Sequence, residues 1–308
     1  MTFLTLTKRN IKMFFSDKGM FFSSMITPIL LLVLYTTFLG SVYGNSFKDA
    51  LTENGIDVNL FEDIISGTVY GQLLSALLAV SCITVSFCSN LIMVQDKYKG
   101  VRRDFMVSPV KKSTLALAYY FGTLAVTLIV TFTATFVGFG LIALKGAWFM
   151  TFGDVMLVLL DVLLLTVFGT AISSVASVFL TTQGQCSAIG TIVSAGYGFI
   201  CGAYMPIAEF PKGLQKVLSF LPGTYGTSLI KEHCLNGVFN AFADKLQGVE
   251  QETIDHVVKG MKDAIDCNVY FFDNGVGESA KYIILVSSIV VIIAAYVILN
   301  VLRGKKNK

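Results

Sequence analysis

QDKYKGVRRDFMVSPVKK, residues 95–112, is a short basic segment set between two long apolar runs. Its six cations are Lys97, Lys99, Arg102, Arg103, Lys111 and Lys112. Gly100 and Pro109 punctuate it, which predicts a short helix or turn there and not a further long helix. A basic loop this short between two membrane spans is expected to stay in the cytoplasm. It therefore orients the whole chain, and it is the best candidate surface for a cytoplasmic partner.

Working outward, the chain has 308 residues, 54% apolar and 14% charged, with a mean hydropathy of +0.71. Soluble domains carry about 25% charged residues, so the composition is that of a polytopic membrane protein and argues against a soluble enzyme. Six apolar runs are long enough to span, near 21–43, 69–94, 115–144, 152–180, 186–204 and 282–302. A helix needs about 20 residues to cross the hydrocarbon. The third and fourth runs exceed that, so they tilt or extend beyond the bilayer. Thr27-Pro28 predicts a kink early in the first. Ahead of it, residues 2–18 interleave Phe3, Leu6, Ile11, Phe14 and Phe15 with Lys8, Arg9 and Lys12. That suits a helix lying in the cytoplasmic interface; a plain basic flank to the first span is the alternative. The apolar run is longer than a signal h-region, which disfavours a cleaved leader.

Charge asymmetry sets the topology. Segments 1–20, 95–114 and 303–308 hold four, six and four Lys/Arg, which is 14 of the 23, against Asp17, Asp96 and Asp104 alone. Residues 44–68 hold five acids and one Lys, and residues 205–281 hold ten acids and seven Lys. Both termini are therefore expected inside a plasma membrane, with 95–114 a cytoplasmic loop and 205–281 an external segment. Within that segment, 241–266 places Phe242, Leu246, Val249, Ile254, Val257, Met261 and Ile265 at helical spacing. This reads as one amphipathic helix, or two broken near Gly248.

The absent motifs narrow the chemistry. There is no G-x-x-x-x-G-K-[ST] phosphate loop, no H-E-x-x-H and no G-x-S-x-G, so no nucleotide site, catalytic centre, metal site or resident cofactor is expected in this chain. The two histidines, His233 and His256, fall in the expected external segment and read as surface residues. Asp161 is the one acid well inside a span, about 13 Å deep at 1.5 Å per residue. It either faces a translocation path or is satisfied by neighbouring Ser/Thr. Two stripes of small residues, Gly190/Ser194/Gly198/Gly202 and Gly169/Ser173/Ser177, predict close helix packing. Cys82, Cys88, Cys186 and Cys201 read as small buried hydrophobes. Cys234 and Cys267 are the only cysteines in the expected external segment, where a disulfide between them could persist. Lipid is the expected surroundings, and no nucleic-acid partner is implied.

Three stretches together resemble the membrane subunit of type-2 ABC (ATP-binding-cassette) exporters. The first is LTLTKRNIKMFFSDKGMFFSSMITPILLLVLYTTFLG, an interfacial helix followed by a span with an early proline. The second is the opening loop, which is similar to the family's acidic-Gly-basic run followed by Ser-Pro. The third is GYGFICGAYMPIAEFPKGLQKVLSFLPGTYGTSLIK, which resembles the family's fifth span, its Gly-x-x-x-Pro exit at Gly202 and Pro206, and short re-entrant external helices with repeated prolines. Gln95-Asp96 departs from the glutamate more usual there. The segment after Lys231 is longer than the family's.

The resemblance implies an all-α protein of six transmembrane helices, with residues 1–308 as one transmembrane domain. It implies a coupling contact at Asp96, Lys97, Lys99, Gly100, Arg102 and Arg103, made with a separate ATPase subunit that carries ATP and Mg. It also implies pairing with a second permease copy, identical or closely paralogous, and a translocation path near Asp161, Gly198, Gly202 and Pro206. A secondary carrier or channel without an ATPase is the alternative, and a non-transporting immunity or partner protein is a third reading. Substrate class is not legible.

Overall fold

A computed structural model describes residues 2–306 except 54–57, 109, 201, 203, 247–250 and 273. Pro109, Cys201 and Gly248 thus lie outside the described residues. Helix α1 (Thr2–Ser16) opens the chain and buries Leu6, Asn10 and Phe14 while leaving Leu4 and Phe15 exposed. Asp17 ends it and caps the next helix, accepting a bond from the Met20 amide at 3.1 Å. Helix α2 (Lys18–Leu34) runs through Pro28 without ending, then through a π turn (Tyr35–Leu39) into α3 (Gly40–Glu53).

After a 3₁₀ turn (Val58–Phe61) come α4 (Glu62–Ser89), α5 (Leu91–Tyr98) and α6 (Val101–Val107). Helices α7 (Lys112–Leu144), α8 (Phe152–Phe179) and α9 (Gln183–Ile200) follow. A 3₁₀ turn (Ile207–Glu209) then leads to α10 (Lys212–Leu218), α11 (Pro222–Lys245) and α12 (Gln251–Ala264). The hairpin of β1 (Tyr270–Phe271) and β2 (Asn274–Gly275) pairs Tyr270 with Gly275, and α13 (Glu278–Lys306) ends the described chain.

Among the described residues, five stretches are long and apolar enough to cross a membrane: Lys18–Asp49, Glu62–Tyr98, Lys112–Leu144, Phe152–Phe179 and Glu278–Asn300. The run expected at 186–204 forms α9, whose 18 residues reach only about 27 Å. Helix α4 is the axis of the bundle and packs against α2, α7, α8, α9 and α11. Its apolar window is 89% buried, against 17% for α13, which turns most of its apolar surface outward.

The α8 stripe of small residues is the seam against α4. A Cβ on Gly169 would press on the Cys82 carbonyl, and Asn90 bonds to Ser173 and Ser174. At Gly190 on the α9 stripe there is open space instead. Cys82 and Cys186 are buried, as expected, while Cys88 is only half-buried.

Two boundaries differ from the sequence expectation for the same reason, which is α11. Helix α4 starts at Glu62, earlier than the apolar run at 69, because Ile64, Ile65 and Gly67 pack with Leu235, Val238 and Phe239 of α11. Residues 222–239 are not part of a solvated outer segment, since α11 is buried against α4, α8 and α13. Gly223 at its start lies against Phe168 and Tyr197. Phe168 is about 24 Å along α8 from Phe152 at 1.5 Å per residue, so α11 begins deep in the bundle and runs back out. Phe242 belongs to the end of α11, and the amphipathic stretch is two helices, α11 and α12, rather than one.

Candidate functional site

Functional side chains gather at the two ends of the bundle. At one end is the basic loop. Gly100 holds a φ of 82° with nothing within 4 Å of the place a Cβ would take, so the turn between α5 and α6 needs glycine for its backbone and not for space. Asp96 is buried at 1% exposure. Arg9 of α1 grips it with two bonds, at 2.7 and 2.9 Å, and the Tyr119 hydroxyl donates to it at 2.6 Å. A buried carboxylate is tolerable only with such partners. The bond from Asp96 also raises the Arg9 pKa above its usual value, so the guanidinium stays charged. Arg9 stacks on Phe105 of α6 at 5.3 Å, and Asn10 donates to the Ala118 carbonyl of α7.

Lys97 points inward as well. Its ammonium donates to the carbonyls of Ser177, Val178 and Leu180, capping the C-terminus of α8 where a cation is favoured. Arg102 donates to Asn300 of α13 at 3.2 Å. Of the six expected contact residues, then, Asp96, Lys97 and Arg102 bind the loop to the bundle. Lys99 and Arg103 face out, together with Tyr98 at 67% and Val107 at 89% exposure. The result is a short exposed helix on a platform tied to α1, α7, α8 and α13.

At the other end, a buried ionic cluster joins α8, α11 and α13. Among the described residues, Asp161 bonds not to Ser or Thr but to His233 and to the Tyr282 hydroxyl, the latter at 2.7 Å. His233 is buried at 4% exposure, so it is not a surface residue. Its second nitrogen lies 3.3 Å from Glu278. Lys231, fully buried, donates to Asp266 and to the Gly202 carbonyl, both at 3.1 Å. Asp266 in turn accepts the Ile207 amide at 2.9 Å, just beyond Pro206. Lys281 donates to Glu232 and to the Cys267 carbonyl, both at 2.8 Å.

Gly202 and Pro206 therefore frame the Lys231–Asp266 pair. Gly202 has a φ of 66°, and a Cβ there would strike Asp266. Gly198 sits apart, against the Tyr204 ring. Cys234 and Cys267 are free thiols, both buried. Among the described residues, no group of three His, Cys, Asp or Glu could hold a metal ion.

The sequence held one signal for this cluster: Lys231-Glu232-His233 sits between apolar Leu229-Ile230 and Cys234-Leu235. The charged tripeptide made α11 look solvated. Its apolar flanks are the part that decides burial.

Five long apolar helices, α11 entering the bundle from one end and a clamped basic loop at the other define a multi-pass, all-α membrane protein. The family model described as ABC-2 family transporter protein matches residues 49–302, and the chain belongs to that family. Its place in such a transporter is the membrane-spanning permease. No curated protein matches the sequence.

Proposed function

We propose that the chain is the permease subunit of an ATP-driven exporter in the plasma membrane, with both termini cytoplasmic. It works with a second permease copy, identical or paralogous, and with separate ATPase subunits that bind ATP and Mg. The observation that carries this reading is the division of labour in the basic loop. Tyr98, Lys99, Arg103 and Val107 are exposed, while Asp96, Lys97 and Arg102 tie the loop to four helices. A stiff lever with a free basic and apolar face is what a closing ATPase needs in order to move a bundle. The open space at Gly190 on α9 leaves room for a second copy. Co-purification of an ATP-binding-cassette subunit with the wild type, and its loss in the Lys99→Glu/Arg103→Glu variant, tests the reading. An intact complex in that variant would overturn the assignment of this face.

A second reading, an ion-coupled carrier, draws on the buried Asp161–His233 pair and its link to the exposed Glu278, since intramembrane ionisable pairs can relay protons. It predicts transport that collapses with a protonophore and survives without ATP.

A further inference from the structure

Between α2–α3, α4 and α7 lies a slot of about 560 Å³, within the range of small-molecule sites. Along α4 it runs from Ile65 to Leu77, about 18 Å at 1.5 Å per residue. Its inner end is apolar, walled by Leu32, Leu73, Leu74 and Leu77. Its outer end is polar, lined by Asn45, Lys48, Ser66 and Lys145. Gly40, Gly44 and Gly138 line it without side chains, and the place of a Cβ on Gly138 is taken by Leu74. The π turn Tyr35–Leu39 forms part of one wall, and such turns recur at functional sites.

Among the described residues no Asp or Glu lines the slot, so the charge at its mouth has no acidic counterpart there. Neither the Lys48 nor the Lys145 ammonium has a hydrogen-bond or ion-pair partner among the described residues, whereas Lys245, at the same end of the bundle, is paired with Asp63. Lysines near helix ends often serve only as interfacial anchors. These two, however, line the same cavity from α3 and from the end of α7, above an apolar shaft.

We propose that the slot binds an anionic amphiphile, with one acyl chain in the apolar shaft and the acidic headgroup held by Lys48 and Lys145. A fatty acid or the chain of an acidic phospholipid both meet this description. The site stands on the bundle alone and does not depend on the ATPase reading.

Native mass spectrometry of the purified full-length protein tests it, with phosphatidylglycerol, phosphatidylcholine and palmitate as probes. Wild type is expected to retain phosphatidylglycerol or palmitate in preference to phosphatidylcholine. Retention of phosphatidylglycerol alone would identify the phospholipid, and displacement by palmitate the single-chain acid. Two lysines near an acidic headgroup are worth roughly fivefold each, so Lys48→Gln/Lys145→Gln should reduce that preference roughly 25-fold.

Gly44→Leu blocks the slot between its mouth and the shaft. A Cβ there would meet only Val69, at an ordinary 3.7 Å, and the variant should lose retained lipid of every headgroup while keeping its thermal transition. Unchanged acidic-lipid preference in the double lysine variant would overturn the proposal. So would disulfide trapping of two Ser41→Cys copies to each other, which would assign the slot to a second copy. If Gly44→Leu does not fold, the lysine variant decides alone.

Discussion

Asp161 of α8 and His233 of α11 share a hydrogen bond in the buried interior although 72 residues separate them in the chain. The bond draws α11 against α8, and Tyr282 brings α13 to the same carboxylate. Removing one member of such a pair strands the other in a low-dielectric interior. His233→Ala is expected to cost on the order of 3 kcal/mol in thermal or denaturant unfolding of the detergent-solubilised protein. The Asp161→Ala/His233→Ala pair should cost clearly less than the two single changes summed. Additive effects would show that the two side chains do not act together.

The basic loop predicts two different phenotypes from adjacent arginines. Arg103 is exposed, and Arg102 is bonded to Asn300. Arg103→Glu should leave the melting temperature within the range of a surface change, about 0.5 kcal/mol, while weakening ATPase association. Arg102→Glu should lower the melting temperature as well. Equal melting temperatures for the two variants would contradict the placement of Arg102.

Gly202 supplies a backbone conformation and a space at once. A side chain there is strained at φ 66° and would press on Asp266, which holds Lys231. Gly202→Ala is expected to destabilise by about 1–3 kcal/mol. Gly190→Ala, facing open space in the middle of α9, should be neutral or stabilising by up to about 1 kcal/mol. Comparing the two melting curves checks both statements.

Topology is tested at two exposed positions, Lys99 and Asp255. With single cysteines in a cysteine-free background, an impermeant maleimide applied to whole cells should label position 255 and spare position 99. Labelling of position 99 from outside would reverse the proposed orientation.

Cys234 and Cys267 are buried free thiols, and burial pushes the Cys267 pKa up to about 12. A thiol with that pKa has almost no thiolate near neutral pH and should resist alkylation until the protein unfolds. A non-reduced digest prepared after unfolding should then give two alkylated, unlinked peptides. A linked pair would instead establish the disulfide that their position in the sequence allows.

Five of the six expected spans, their order and the short helix in the basic loop were legible because each rests on local pattern. Apolar runs of about 20 residues become membrane helices whatever they pack against, and Gly100 marks its turn by its own conformational freedom. The sequence alone also carried the resemblance that the family match then established. What it could not determine was direction, that is, which side chains of the loop face in and which face out. Arg9 and Asp96 are 87 residues apart, and nothing in the repeating pattern of either segment pairs them. The same holds for α11. Its charged residues made it look external, yet Lys231 and His233 are buried because Asp266 and Asp161, from distant parts of the chain, neutralise or bond them there. A charge is costly to bury only when it is alone, and whether it is alone is a property of the tertiary structure.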